Sequence, residues 1–105
     1  MTTKLLIVYP PPTAAQEFDR RYVEEHLPYA GPRLTSAGAT KIITKRVLGA
    51  PSGTPSIHAI SEVTFPSLEA LQACAKSASG QEALAHATSI STGGEPQFII
   101  VQEAG

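Results

Sequence analysis

Lys4-Leu5-Leu6-Ile7-Val8-Tyr9-Pro10-Pro11-Pro12 decides how this chain folds. From Leu5 to Tyr9 every position is apolar or aromatic, so the segment reads as a strand that wants burial on both faces. Three prolines then end it, because proline cannot donate to a ladder and fixes φ. Phe98-Ile99-Ile100-Val101, near the other end, has the same two-sided apolar character. The chain between these strands supplies two further strands and two main helices.

After the prolines, Thr13 stands where an N-cap belongs, and Gln16 completes a capping-box spacing. The first helix should run to about His26 or Tyr29, since Pro28, Gly31 and Pro32 follow. Thr40 to Leu48 reads as a strand, with Ile42, Thr44, Arg46 and Leu48 on one side. Gly49 to Ser56 has loop composition, and Ile57 to Phe65 is the third strand. Ser67 can cap a second helix with the stripe Leu68, Leu71, Ala75 and Ala78. Ser79-Gly80 should break it before a short helical piece over Gln81 to Thr88. Gly93-Gly94 then turns the chain into a last strand, Gln97 to Gln102.

The order β-α-β-β-α-β predicts an α+β, ferredoxin-like antiparallel sheet with its helices on one face. Two helices leave the other sheet face bare, although the first and last strands are apolar on that side too. The economical cover is the same face of a second copy, so a homodimer is expected. Residues 1–105 are read as one domain, a length that suits a single core.

Composition narrows the function. Hydrophobic residues make up 42% and charged residues 16%, with a formal net charge of −1. That balance gives no electrostatic case for nucleic acid or an anionic membrane. No apolar run approaches a membrane span, and Met1-Thr2-Thr3-Lys4 leads straight into a strand, so a cytoplasmic protein is expected. The single cysteine, Cys74, excludes an intrachain disulfide and reads as a small buried hydrophobe. Three histidines without local ligand spacing make no metal motif, and no glycine-rich nucleotide loop is present.

Phe18, Tyr22 and His26 recur every four residues, which puts two aromatics and an imidazole on one helical face. Glu17, Arg20, Arg21 and Glu24 fall on the other. His26 is the leading acid/base candidate, since an imidazole can exchange a proton beside a carbonyl near neutral pH. Asp19 is too far from it along the helix for a direct bond. Tyr22 and Phe18 are candidate pocket walls, with Tyr9 and Tyr29 at the mouth. On the third strand Ala59 and Ser61 face the helices and are small enough to leave room for a ligand. His58 and Glu62 are assigned by strand alternation to the opposite face.

Three segments resemble the EthD family of the dimeric α+β barrel superfamily. They are Phe18-x3-Tyr22-x3-His26-x-Pro28, then Glu62-Val63-Thr64-Phe65-Pro66-Ser67-Leu68-Glu69-Ala70-Leu71, and Ser79-Gly80-Gln81-Glu82-Ala83 before the closing strand. The resemblance implies a homodimer, a pocket between sheet and helices, and often no cofactor. His86 departs from the acidic character that it implies for the third helical segment. Related barrels include isomerases, dehydratases and cofactor-independent monooxygenases. The expected function is therefore an enzyme of one of these types acting on a small, apolar, oxygenated compound, with no cofactor. The alternative is a non-catalytic ligand-binding or accessory protein on the same fold.

Overall fold

The computed structural model describes residues 2–104. Four strands, β1 (Thr3–Tyr9), β2 (Lys41–Arg46), β3 (Ala59–Phe65) and β4 (Gln97–Gln102), form one antiparallel sheet in the order β2-β3-β1-β4. Leu5 pairs with Val63 on one side and Ile100 on the other, so the apolar first strand lies in the sheet interior. The helices are α1 (Ala15–Arg21), α2 (Leu27–Ser36), α3 (Leu68–Lys76) and α4 (Ala78–Ile90), and a π-helical turn over Tyr22–His26 joins α1 to α2. This is the ferredoxin-like α+β fold that the element order predicts.

Alternation along the strands sets the core. Leu5, Ile7 and Tyr9 of β1 and Ala59, Ser61, Val63 and Phe65 of β3 are buried under the helices. Phe18, Tyr22, Leu34, Leu71, Ala83, Ala87 and Ile90 meet them from the helical side. On the outer face Leu6, Ile60, Ile43 and Ile99 stay partly exposed, Ile43 by 37% and Ile99 by 40%. Glu62 sits among them between Lys4 (3.1 Å) and Lys45 (2.9 Å), which hold its carboxyl below the usual carboxylate range. Among the described residues no helix is long and apolar enough to cross a membrane.

Four sequence-based expectations shift. The first concerns the start of α1, where Ala14, not Thr13, occupies the N-cap position without a side-chain cap. Thr13 instead donates its N–H to Thr92 Oγ1, which ties it to the link before β4. The second concerns the end of that helix. Pro28 and Pro32 do not stop it, because the chain passes into π register and Leu27 N–H donates to Tyr22 O. Pro28 has no N–H to offer, so the ladder must be interrupted at this turn, and the wider π register accommodates the gap.

Thirdly, the break between the later helices falls at Ser77, whose extended backbone caps α4 through its hydroxyl to Gly80 N–H. Gly80 lies inside α4 for a packing reason. A Cβ there would stand well inside contact distance of the Cys74 carbonyl oxygen. Lastly, β3 starts at Ala59, so His58 precedes the strand and escapes its alternation. Its ring turns to the helix side, against Phe18 and Asp19, while Glu62 keeps the outer face.

Gly80→Ala is expected to cost about 2–4 kcal/mol in urea unfolding, since backbone must move to admit the methyl. Gly31→Ala, with nothing within 4 Å of its new methyl, should change stability by less than about 1 kcal/mol, since its gain in helix propensity is opposed only by the restriction that Pro32 places on the residue before it. Equal effects of the two substitutions would refute the packing role of Gly80.

Candidate functional site

The aromatic face of α1 and the π turn lies over β1 and β3. Phe18 and Tyr22 stack at 6.0 Å, and Tyr9 meets both edge-on, at 5.2 and 5.8 Å. The Tyr22 hydroxyl reaches the sheet, where it hydrogen-bonds Thr44 Oγ1 at 2.6 Å and Ser61 Oγ. Thr44 and Ser61 face each other across β2 and β3, 3.3 Å apart, because the register pairs those two residues. Three hydroxyls thus converge between helix and sheet. Tyr9 is fully buried; its hydroxyl finds no hydrogen-bond partner among the described residues. Burial, and next the neighbouring Tyr22, push its pKa upward.

A cleft of about 180 Å³ opens beside this cluster, between α1 with the π turn and the β2–β3 edge. Phe18, Val23, Leu27 and Ala59 give it apolar walls. Its polar groups form two rungs across the gap. Tyr22 meets Thr44 in one, and Asp19 Oδ2 meets Arg46 Nη2 at 3.4 Å in the other. The second oxygen of Asp19 accepts a hydrogen bond from His58 Nε2 at 2.8 Å.

His26 stands behind Tyr22, 3% exposed, with its ring 5.1 Å from the tyrosine ring. Its Nδ1 shares a 2.8 Å hydrogen bond with Nδ1 of His86 on α4, one ring donating and the other accepting. Tyr29 stacks on the far side of His86 at 4.6 Å, and the Arg33 guanidinium covers Tyr29 at 3.6 Å. Burial, and next the second imidazole, lower the pKa of His26 from 6.5 to about 4. His26 is therefore neutral at physiological pH. Among the described residues no group of three histidine, cysteine or acidic side chains could hold a metal ion.

Of the residues singled out from the sequence, Phe18, Tyr22 and Ala59 line the cleft. Ser61 lies beneath it through Tyr22, and Tyr9 packs against Phe18 and Tyr22. His26 and Tyr29 belong to the stack leading away toward α4 rather than to the cleft lining. Sequence reasoning did not select Asp19, Thr44 and Arg46 for the cleft, nor His86 as the partner of His26. Thr44 and Arg46 do share a strand face in the sequence pattern, and that was the available signal.

A helix-covered antiparallel sheet in the order β2-β3-β1-β4 defines a ferredoxin-like α+β protein. Comparison with known proteins gives the family. The model of the EthD domain matches residues 10–88, and the chain belongs to the EthD family. An EthD family structure from Bacillus halodurans superposes with a TM-score of 0.86 at 24% identity, covering 98% of this chain and 99% of that one. An EthD-like protein of Ralstonia eutropha gives a TM-score of 0.75 at 20% identity over 96% and 90% of the two chains. A dimeric ferredoxin-like protein of unknown function from Jannaschia sp. gives 0.69 at 14% identity over 97% and 98%. Comparison with curated proteins finds no match.

The lowered pKa of His26 makes stability depend on pH. The unfolded chain protonates this ring near 6.5 and the folded chain near 4, so stability is full above 6.5 and is lost as pH falls toward 4. The loss should total roughly 3 kcal/mol. Urea unfolding of the wild type and His26→Gln between pH 7 and 4 checks this. Parallel curves for the two proteins would disprove the assignment.

Proposed function

We propose that the protein is an enzyme whose cleft takes a small, largely apolar, oxygenated compound and moves a proton on it without a cofactor. The observation that carries this reading is the hydroxyl cluster of Tyr22, Thr44 and Ser61 beside apolar walls. Fixed hydroxyls next to a sheltered apolar surface suit a carbonyl or alcohol oxygen, and they can donate to charge that develops on it. The cleft volume limits the guest, since a cavity of about 150 Å³ is known to hold benzene. A single substituted ring is the natural size.

His26 enters as a neutral imidazole backing Tyr22, and with His86 it holds the π turn against α4. The engagement of its Nδ1 by His86 favours a second reading, a binding protein that performs no turnover. The two readings separate by assay. A panel of small ring ketones and alcohols, followed by ligand-observed NMR, should contain binders that Tyr22→Phe weakens about tenfold, the loss of one hydrogen bond. Turnover abolished in Tyr22→Phe beyond that loss of affinity supports the enzyme; affinity loss with no turnover in either protein supports the binder. Unchanged affinity in Tyr22→Phe would remove the cleft as the site.

We also propose that the protein is cytoplasmic and that two copies pair through the outer sheet face. The free, buried Cys74 fits a reducing compartment. Leu6, Ile43, Ile60 and Ile99 supply an apolar face without helices, and the Jannaschia relative is described as dimeric. Sedimentation should give twice the 11.0 kDa chain mass. Leu6→Glu, which places a charge in that face, should sediment as the monomer, and a monomeric wild type would refute the pairing.

A further inference from the structure

The cleft carries a carboxylate that the hydroxyl cluster does not explain. Asp19 projects from α1 into the cleft wall, and its two oxygens are held differently. Oδ1 accepts from His58 Nε2 at 2.8 Å, and the His58 ring is itself fixed edge-on against Phe18 at 5.3 Å. The side chains of His58 and Asp19 are 16% and 27% exposed, so this contact is sheltered. Among the described residues Oδ2 has only the 3.4 Å contact to Arg46, whose side chain is 59% exposed and free to swing outward. One oxygen is anchored, and the other can be released toward the cleft.

The spacing of the two rungs gives the chemistry. Asp19 and Tyr22 are three residues apart on a helix, about 4.5 Å along its axis. Arg46 and Thr44 are two apart on one strand face, about 6.7 Å by strand rise. A carbonyl oxygen at the Tyr22–Thr44 rung therefore leaves its neighbouring carbon within reach of Asp19. A carboxylate base facing a tyrosine donor is a sufficient pair for proton abstraction beside a carbonyl.

We infer that Asp19 is the catalytic base of the cleft, positioned by His58, and that the substrate is a small ring ketone with a hydrogen on the carbon next to its carbonyl. In the step, that C–H bond breaks and its proton passes to Asp19 Oδ2. The electron pair moves to the carbonyl oxygen as an enolate, held by the Tyr22 and Thr44 hydroxyls. In a β,γ-unsaturated ring ketone, return of that proton from Asp19 to the γ-carbon moves the double bond into conjugation and isomerises the substrate; in a β-hydroxy ketone the C–OH bond breaks as the enolate collapses, and the hydroxyl leaves as water with the proton from Asp19. Neither outcome needs an oxidant or a reductant. The inference rests on the cleft being the substrate site, and it replaces a general acid/base function by one residue and one class of substrate.

Cyclohexanone in D2O is the probe, because NMR follows both its binding and the exchange of its α-hydrogens for deuterium. The wild type should bind cyclohexanone and accelerate exchange above buffer. Asp19→Asn should keep the affinity within about twofold while exchange falls at least 100-fold, the usual contribution of a positioned base. His58→Ala should lower kcat for exchange about tenfold with KM nearly unchanged. His58→Gln, whose amide can still donate to Asp19, should recover most of that loss, which a merely structural role for His58 would not produce. Binding by the wild type without accelerated exchange, or exchange by Asp19→Asn at the wild-type rate, overturns the inference and leaves the cleft as a binding site. No binding of cyclohexanone by the wild type overturns both. Should Asp19→Asn fail to fold, the contrast between His58→Ala and His58→Gln decides alone, and equal rates for these two refute it.

Discussion

The Tyr22 hydroxyl is the contact on which the site depends. It reaches from the π turn to Ser61 and Thr44, on two neighbouring strands, and so fixes the helical segment at one height above the sheet. A phenol buried to this depth costs about 1–3 kcal/mol when its hydroxyl is left unpaired, so the position is specified by chemistry as well as by packing. Ala59 and Ser61 make the approach possible. Larger side chains at either position would occupy the space between β3 and the rings of Phe18 and Tyr22. The cleft is what remains beside this contact, between α1 with the π turn and β2, the edge strand.

The sequence was informative wherever one local period governed a segment. Alternation and apolar runs located all four strands to within two residues, and the spacing of Phe18, Tyr22 and His26 identified the buried face of the first helix. It misled where a tertiary contact overrode the period. His58 has the parity of the outer face, but the strand begins one residue later, and its imidazole is drawn to the carboxylate of Asp19. The prolines at 28 and 32 argued for a helix end, yet packing of Ala30 and Leu34 in the core stabilises continuation more than the missing N–H groups oppose it. The EthD resemblance read from three segments holds for the chain. The rungs of the cleft could not be read in the same way. They pair residues 22 and 27 positions apart, and no local pattern encodes the register that brings β2 beneath α1.

Charge is distributed over the site according to depth. The imidazole placed deepest, His26, is uncharged, and its Nδ1 is hydrogen-bonded to Nδ1 of His86. A cation there would lose hydration with no carboxylate to face it, because the acids of this helical segment other than Asp19 lie outward, paired with Arg20 and Arg21. Those outer pairs are exposed and stabilise the fold little. The stack from Tyr22 through His26 and His86 to Tyr29 ends under Arg33, near solvent, where a cation is cheaply hydrated and still favoured by the ring face.

The same logic explains why the one carboxylate in the cleft wall sits at its mouth. Asp19 remains partly hydrated, and its imidazole and guanidinium partners approach from different elements. Three residues before Tyr22, it keeps contact with solvent, while Phe18 and Ala59 wall the cleft beside it. Under the proposed function the hydroxyls at the inner rung need no charge of their own, since they would answer to a negative charge that develops only when a guest's carbonyl is polarised. Helix and edge strand are thus joined twice, by the hydroxyls of Tyr22 and Thr44 and, one helical turn away, by the carboxylate of Asp19 and the guanidinium of Arg46.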